Sequence, residues 1–513
     1  MKEISRKHMG EWMPEDRSKV DETYDLIKVG SKAFAKARIH WDGKTNSLKY
    51  EVIEPKIDDR LKGILKQIES ILIDRLEIKY DKFDIKKSED FIGREMDVIA
   101  SEYNFTLSEA DKTALSYYLQ RDFIGLERVE PLFQDIKLED ISCDGTNVPV
   151  FVFHRNPSYG SIQTNTIFST QDEIDSFVMK LAQRCDRAIS VAEPLLDGTL
   201  PDGSRVQATF GTDVSRRGST FTIRKFTPEP LTPVDLLKFG TTDTRTLAYL
   251  WLLIEHGYSI LVAGASATGK TALLNALSLF IQPDAKIVSI EDTAELRLPH
   301  ENWIPQVARI GFGPRDETGD KLGEVSMFDL LKASMRQRPD YIIVGEVRGQ
   351  ETYVLFQEMA SGHPGLSTMH ADSIDAVMDR LVTEPISLPP SLIENLDVLI
   401  VIVREKIKGK YVRRIKRIVE VTGFDARNNK PIINEVFRWD HAKDSFLTVS
   451  ESKLLKDIMN ERGANRESLN EELHRRAQIL EWFVKKKITN YRDVHKYIDM
   501  YYTDPAALLD TLG

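Results

Sequence analysis

The residues best suited to chemistry form one unbroken run, Gly264-Ala265-Ser266-Ala267-Thr268-Gly269-Lys270-Thr271, which fills the pattern G-x-x-x-x-G-K-[ST]. The apolar run Ser259-Ile-Leu-Val-Ala263 precedes it and reads as a buried strand; Thr271-Ala-Leu-Leu-Asn-Ala-Leu-Ser-Leu follows as a helix. That context makes the run a phosphate cradle. Gly264 and Gly269 let the backbone turn so that N–H groups face the phosphates, and the helix N-terminus adds partial positive charge. Lys270 would reach the β- and γ-phosphates of ATP, and Thr271 would place a hydroxyl on Mg²⁺.

Phosphoryl transfer to water needs acids beside such a loop. Ile290-Glu291-Asp292-Thr293-Ala294-Glu295 closes a second strand-like run. A carboxylate at a strand end lies at the carboxyl edge of the sheet, where ligands bind, and can there orient or deprotonate an attacking water. The plainer alternative is a solvated acidic turn with Asp292 capping a helix. Tyr341-Ile-Ile-Val-Gly345-Glu346 is another buried run ending in a carboxylate. Metal-bound nucleotide needs an acid there; Gly345 stands where a further acid is usual, so Glu346 serves alone. The run from Ser361 to Asp372 carries His363 and His370, seven apart, which is no metal-ligand spacing. Following two phosphate-site acids, His370 reads as a γ-phosphate sensor, against a merely structural histidine.

These segments need a scaffold to converge. Short β-rich runs, Ser259–Ala263, Lys286–Glu291, Tyr341–Gly345, Leu366–Met369 and Leu399–Arg404, alternate with helical stretches, the pattern of a mostly parallel sheet covered by helices. The final 60 or so residues read as helical, with Leu469, Leu473, Ala477, Leu480 and Val484 in one apolar stripe. Upstream, Thr227-Pro-Glu-Pro-Leu-Thr-Pro233 has three prolines, each fixing φ and deleting a donor. The expected organisation is therefore a charged, helical arm over 1–80, an α+β domain over 81–225, a linker over 226–236 and an α/β domain over 237–513. Within the arm, Leu61, Ile64, Leu65, Ile68, Ile71 and Leu72 fall on one helical face. That face suits packing on its own domain, or docking of a partner.

Composition narrows the class. Among 513 residues, 41% are hydrophobic and 29% charged, with a net charge of −10, which argues against a protein living on nucleic acid. The two cysteines, Cys143 and Cys185, lack metal spacing and suit a reducing compartment. The apolar run Leu247–Ile254 stops at Glu255, well short of a membrane span, and the N-terminus has no signal-like apolar core. A cytoplasmic chain is expected, reaching the inner face of the membrane only through partners.

The phosphate loop, the Glu291 segment, Arg336-Gln-Arg-Pro-Asp-Tyr-Ile-Ile-Val-Gly-Glu346-Val-Arg348-Gly and Gly362-His-Pro-Gly-Leu-Ser-Thr-Met-His370-Ala-Asp occur in that order. Together they resemble the Walker A, aspartate box, Walker B and histidine box of the secretion ATPase superfamily of type II and type IV secretion, pilus and archaeal filament systems. The likeness extends upstream. Tyr118-Leu-Gln-Arg-Asp-Phe-Ile-Gly125, Glu139-Asp-Ile-Ser-Cys-Asp-Gly145, Leu200-Pro-Asp-Gly-Ser-Arg205 and Phe221-Thr-Ile-Arg224-Lys-Phe226 are similar to the N-terminal domain of archaeal members. It covers roughly residues 110–425. Thr293, in place of the proline common in bacterial pilus members, points to the archaeal and conjugative branch, and the extended arm looks most like the archaellum motor ATPases.

The resemblance implies a RecA-like C-terminal domain, ATP and ADP with Mg²⁺ as ligands, and a homohexamer with nucleotide held between N- and C-terminal domains. It implies that Arg205, Arg217 or Arg224 supplies charge to the γ-phosphate, against surface or strand-pairing arginines, and that Phe226 packs on the adenine. Glu291 would activate water and Glu346 hold a magnesium-bound water, with the reverse assignment left open; Glu295, Arg348 and His363 are further candidates in the same segments. Implied partners are a polytopic membrane platform protein, accessory cytosolic motor components and, indirectly, pilin-like filament subunits. A conjugative or general secretion ATPase would share every motif. A DNA motor would show DNA-stimulated hydrolysis with steep salt dependence, and a non-hydrolysing switch would bind without turnover. Finally, Arg404 to Arg417 holds eight Lys or Arg in fourteen residues, interleaved with Tyr411, Val412, Ile415 and Ile418, with a turn expected at Lys408-Gly409-Lys410. It reads as a solvated hairpin face, or as a contact to the membrane platform or anionic lipid headgroups.

Overall fold

A computed structural model describes residues 17–29, 32–75, 85–156, 159–226, 229–309, 311–315, 321–407, 410–425 and 430–512. The chain divides into two units, 1–226 and 227–513.

The first unit is built on one nine-stranded sheet: β1 (Asp21–Val29), β2 (Lys32–Asp42), β3 (Ser47–Ile53), β4 (Leu138–Cys143), β5 (Pro149–His154), β6 (Ser161–Ile167), β7 (Leu195–Thr199), β8 (Arg205–Thr209) and β9 (Thr220–Arg224). Their order is β1-β2-β3-β6-β5-β4-β9-β8-β7. Part of the segment read as a helical arm is therefore sheet. Strand β3 alternates buried and half-exposed residues, the period-two signature of a strand covered on one face, and pairs parallel to β6 through Lys49↔Gln163 and Tyr50↔Thr164. Its Tyr50 is fully buried and donates to Asp135 at 2.6 Å. Burial and that carboxylate push the Tyr50 phenol far above its usual range. The apolar face read over 61–72 is on the helix Asp59–Arg75, which packs Leu61, Leu65, Ile68 and Leu72 against the helices Ile85–Glu102 and Glu109–Leu119 of the same unit.

The second unit carries a nine-stranded sheet ordered β12-β11-β15-β16-β10-β17-β18-β19-β20. The strands are β10 (Ile260–Ala263), β11 (Ile287–Glu291), β12 (Trp303–Val307), β15 (Tyr341–Val344), β16 (Gly365–Met369), β17 (Val398–Ile407), β18 (Lys410–Asp425), β19 (Lys430–Asp440) and β20 (Ser445–Thr448); a separate ribbon joins β13 (Phe312–Arg315) to β14 (Lys321–Leu322). From β12 to β17 all neighbours are parallel; from β17 to β20 all are antiparallel. Strands β10, β11, β15 and β16 are buried along their whole length, as central strands covered on both faces must be. The turn expected at Lys408-Gly409 lies outside the described residues, but Ile407 pairs with Lys410 on either side of it. Of the proline-rich segment, Thr227 and Pro228 lie outside the described residues. Pro233 opens the helix Pro233–Lys238, capped by Thr232 and Asp235, a first-turn position where its missing N–H is harmless.

The apolar run Leu247–Ile254 is a core helix, Thr244–Glu255, with every residue from Thr246 to Ile254 buried. No helix among the described residues is long and apolar enough to cross a membrane. Two buried charges tie the unit together. Glu420 of β18 accepts from Tyr249 at 2.9 Å, Asn434 at 2.9 Å and the Lys453 N–H at 2.8 Å. Arg476, on the helix Arg466–Lys486, bonds Glu255 and Glu472 and lies over the rings of Trp251 and Tyr501.

Candidate functional site

Because β10, β11, β15 and β16 run parallel, their carboxyl ends share one edge. The loop 264–269 leaves β10 there and enters the helix Lys270–Ser278. The loop's glycines answer to geometry. Gly269 is the helix N-cap at φ +93, a left-handed conformation suited to glycine. A Cβ at Gly264 would lie 2.5 Å from the Thr268 hydroxyl and 2.7 Å from the Ile402 carbonyl oxygen, so no side chain fits. Thr268 donates to Ala265 O at 2.9 Å, and Lys270 Nζ reaches the same oxygen at 3.3 Å. Burial holds the Lys270 ammonium below its usual range, against the attraction of Glu346 and Glu295. A phosphate replacing that carbonyl as acceptor would supply the missing countercharge.

The three other candidates stand along the same edge. Glu291 ends β11, only 3% exposed, and its carboxylate accepts the N–H groups of Glu295 at 2.8 Å and Leu296 at 3.0 Å. Burial outweighs those bonds and pushes its pKa up to about 7. No helix begins after Asp292, so the alternative in which it caps one does not apply. The segment is pinned instead by the Arg297 N–H, which donates to Asn275 Oδ1 on the phosphate-loop helix at 2.7 Å. Glu346 follows β15, with Arg348 at 2.9 Å; Arg348 also lies 4.0 Å from Asp292. His370 follows β16, and its Nε2 is 2.8 Å from Ser266 Oγ of the loop. One strand edge thus gathers a phosphate-type loop, an ammonium, two carboxylates and an imidazole.

Gly345 has a physical reason. A Cβ there would lie 3.1 Å from Glu291 Cγ. An acid at 345 would occupy the space that the Glu291 side chain uses.

The sequence profile of the type II/IV secretion system proteins matches residues 165–499. The chain belongs to that family. It is 38% identical over 406 residues to an uncharacterized protein of Methanocaldococcus jannaschii, covering 78% of this chain and 72% of that one. A second uncharacterized protein of that organism is 48% identical over 273 residues, 52% of this chain and 99% of its own length. The type IV secretion system protein PtlH of Bordetella pertussis is 33% identical over 290 residues, covering 49% of this chain and 81% of PtlH.

In this family member not every candidate joins the site. His363 lies at the amino end of β16, separated from His370 by that whole strand, about 16 Å. Its Nδ1 is 3.3 Å from the buried carboxylate of Glu358. Seven-residue spacing across a five-residue strand puts the two histidines at opposite sheet edges, so His363 is removed from the site. The arginines also separate. Arg205 and Arg224 are cross-strand partners at one end of the β8–β9 hairpin, within 3.1 Å of Asp197 and 3.3 Å of Asp140 respectively. Arg217 is exposed in the connection at the other end, at least about 13 Å along the strands. Its carbonyl accepts the Thr146 N–H at 2.8 Å. Phe226 donates its N–H to Ser204 Oγ at 3.0 Å, and its ring lies over Gly203, where a Cβ would come within 3.1 Å of it.

One residue at the loop escaped the sequence. Arg413 of β18 places Nε 3.3 Å from Ala267 O. It stands more than 140 residues downstream, inside a basic run whose other members mask it.

Thr271 in the first helical turn and Glu346 at its strand end are hard oxygen donors. One hydroxyl and one carboxylate suit Mg²⁺, which completes its shell with phosphate oxygens and water.

Proposed function

We propose that this protein is an ATP-hydrolysing motor, converting ATP and water to ADP and phosphate. The carrying observation is the His370–Ser266 contact at 2.8 Å, because it couples the strand beyond the acids to the phosphate loop itself. In this reading the loop N–H groups and Lys270 hold the β- and γ-phosphates. Glu291, with a carboxyl pKa near 7, takes the proton of the attacking water; a base poised near working pH is the efficient kind. Mg²⁺, held through Thr271 and Glu346, would neutralise developing phosphate charge. His370 feels the γ-phosphate and relays its loss to Ser266. One of Arg205, Arg217 and Arg224 supplies charge from a neighbouring copy in a hexameric ring, a contribution of several orders of magnitude where such an arginine acts. Phe226 packs on the adenine.

The work done is assembly, and rotation, of an archaeal type IV pilus-like filament, the archaellum. Support comes from the N-terminal resemblance and from long matches to archaeal relatives. The partners are a polytopic platform protein, accessory cytosolic motor components and, through the platform, pilin-like subunits; the chain works at the inner face of the membrane. The kinship with PtlH favours a second reading, a type IV secretion motor with the same chemistry.

Two experiments test these steps. Lys270→Ala is expected to lose nucleotide binding and turnover. Glu346→Gln is expected to keep ATP but hydrolyse it at least ~100-fold more slowly, a loss of about 2.7 kcal/mol of transition-state stabilisation. A wild-type rate from Glu346→Gln would refute its assignment. Affinity capture from native membranes with ATP then names the machine. An archaellum platform subunit supports the filament motor, and a secretion platform moves the function to export.

A further inference from the structure

The helix leaving the phosphate loop buries a polar side chain. Leu273, Leu274, Ala276 and Leu277 are buried and apolar, and Asn275 lies in the same buried run, 2% exposed. Its Oδ1 accepts the Arg297 N–H at 2.7 Å, while its Nδ2 is buried and, among the described residues, has no hydrogen-bond partner. A leucine there would leave no amide group unsatisfied. A buried amide that makes one bond and strands its donor destabilises the fold, so the bond it does make calls for a reason.

That bond acts on an irregular segment. Between Glu291 and Trp303 the chain forms neither helix nor strand. Leu296 and Leu298 are buried in the core of the unit. At the far end His300 Nε2 lies 3.1 Å from Ile281 O, and its ring centroid 4.5 Å from that of His495. Nearer Glu291, three consecutive N–H groups are divided between two side chains. Those of Glu295 and Leu296 donate to the Glu291 carboxylate at 2.8 and 3.0 Å, and that of Arg297 donates to Asn275. Asn275 stands five residues after Lys270, about 7.5 Å of helix rise. The path from the loop lysine to the carboxylate is therefore short: a turn and a half of helix, one amide and three peptide units.

We propose that Asn275 is a positioning residue for hydrolysis, holding the Glu291 carboxylate in register with the phosphates through the peptide units of Glu295 to Arg297. This rests on the ATPase reading with Glu291 as the base. When Oδ1 is removed, the Arg297 N–H loses that acceptor, and the Glu295 and Leu296 donors shift with it. The Glu291 carboxylate follows its donors. The loop N–H groups and Lys270 lie outside this path, so turnover falls while ADP binding stays.

The test is single-turnover ATP hydrolysis beside ADP affinity by calorimetry, on the full chain with melting midpoints checked. The variants are Asn275→Ala, Asn275→Asp, Glu291→Gln and the double variant Asn275→Ala/Glu291→Gln. Asn275→Ala is expected to slow hydrolysis roughly 10- to 100-fold, the scale of a reacting group displaced by about 1 Å, and to leave ADP affinity unchanged. Asn275→Asp keeps an oxygen in place of Oδ1 and gives up only the unpartnered Nδ2, and is expected to recover most of the rate. In the Glu291→Gln background Asn275→Ala is expected to cost nothing further, because residues that act as a unit are not additive. Should Asn275→Ala fail to fold, Asn275→Ser, whose hydroxyl is too short to replace Oδ1, takes its place in the same cycle. Losses that multiply in the double variant overturn the inference, since Asn275 then acts on something other than Glu291. A wild-type rate from Asn275→Ala overturns it too, as does a matching loss of ADP affinity, which places the damage in the loop helix. Each of these leaves the ATPase reading standing. A wild-type rate from Glu291→Gln, or no hydrolysis by the wild type, overturns that reading's base or the reading itself, and the inference with it.

Discussion

Placing a methyl group at Gly345 tests whether Glu291 does the chemistry. The added Cβ would sit 3.1 Å from Glu291 Cγ and 3.6 Å from its Cβ. Carbon atoms rest at about 3.5–4.0 Å, so the first contact is short by about 0.4–0.9 Å. The backbone at 345 has little room to retreat. Its N–H donates to Ile290 O at 2.9 Å and its carbonyl accepts the Thr368 hydroxyl at 2.7 Å. Glu291 is held as well, its carbonyl accepting the Ala308 N–H at 2.9 Å. The side chain of Glu291 must therefore swing, stretching its bonds to the Glu295 and Leu296 N–H groups. A reacting group misplaced by about 1 Å loses on the order of 100-fold in rate. Gly345→Ala is thus expected to lower kcat roughly 10- to 100-fold. Gly345 does not have positive φ, so alanine adds no backbone strain. The assay is steady-state ATP turnover beside ADP affinity. A folded variant that turns over within about twofold of wild type would refute the reasoning. So would a parallel loss of ADP affinity, which would place the damage in the loop.

Four further outcomes follow from distances and burial. With a Glu291 pKa near 7, kcat/KM should fall tenfold per unit as pH drops below that value, since the base must be ionised. The sign for stability is opposite. The raised pKa favours the fold when the group is protonated, and that advantage is lost as pH climbs from its unfolded value, about 4.3, to about 7. Glu291→Gln should therefore gain melting temperature over wild type at pH 8 relative to pH 5; equal differences at both would count against it. Gly264→Ala, forced to within 2.5 Å of Thr268 Oγ1, should abolish nucleotide binding by calorimetry while the chain stays folded. Arg476→Ala, which leaves Glu255 and Glu472 without their buried cation, should cost about 3–5 kcal/mol in denaturant unfolding.

The phosphate-loop unit was open to reading because its chemistry is local. A glycine loop between an apolar strand and a helix carries its own context, and the two acidic segments each end a strand rich in Ile and Val. Glu291, Glu346 and His370 converge because parallel strands share an edge, which the alternation of strand and helix foretold. The arm was harder. Strands β1 to β3 pair in chain order, but β3 joins the rest of the sheet only through β6, more than 100 residues later, and no local signal marks that pairing. His363 and His370 looked like one motif, but a strand between them sends them to opposite edges. Arg413 was hidden because a basic run in sequence does not say which face of a hairpin meets the loop. The reason for Gly345 was out of reach too, since it depends on a side chain 54 residues away.

The position of β10 has a consequence for how the protein is made. Its two neighbours are β16, at 365–369, and β17, at 398–407. When the ribosome has finished the phosphate loop at Thr271, the strand that must hold it rigid has no neighbour on either side, and none arrives until Gly365. Contacts between distant stretches form late, after the entropy of closing the intervening chain is overcome. A fragment ending before 365 carries the whole glycine-lysine signature yet lacks both flanking strands, so the signature in a truncated gene product is no sign of a working nucleotide site.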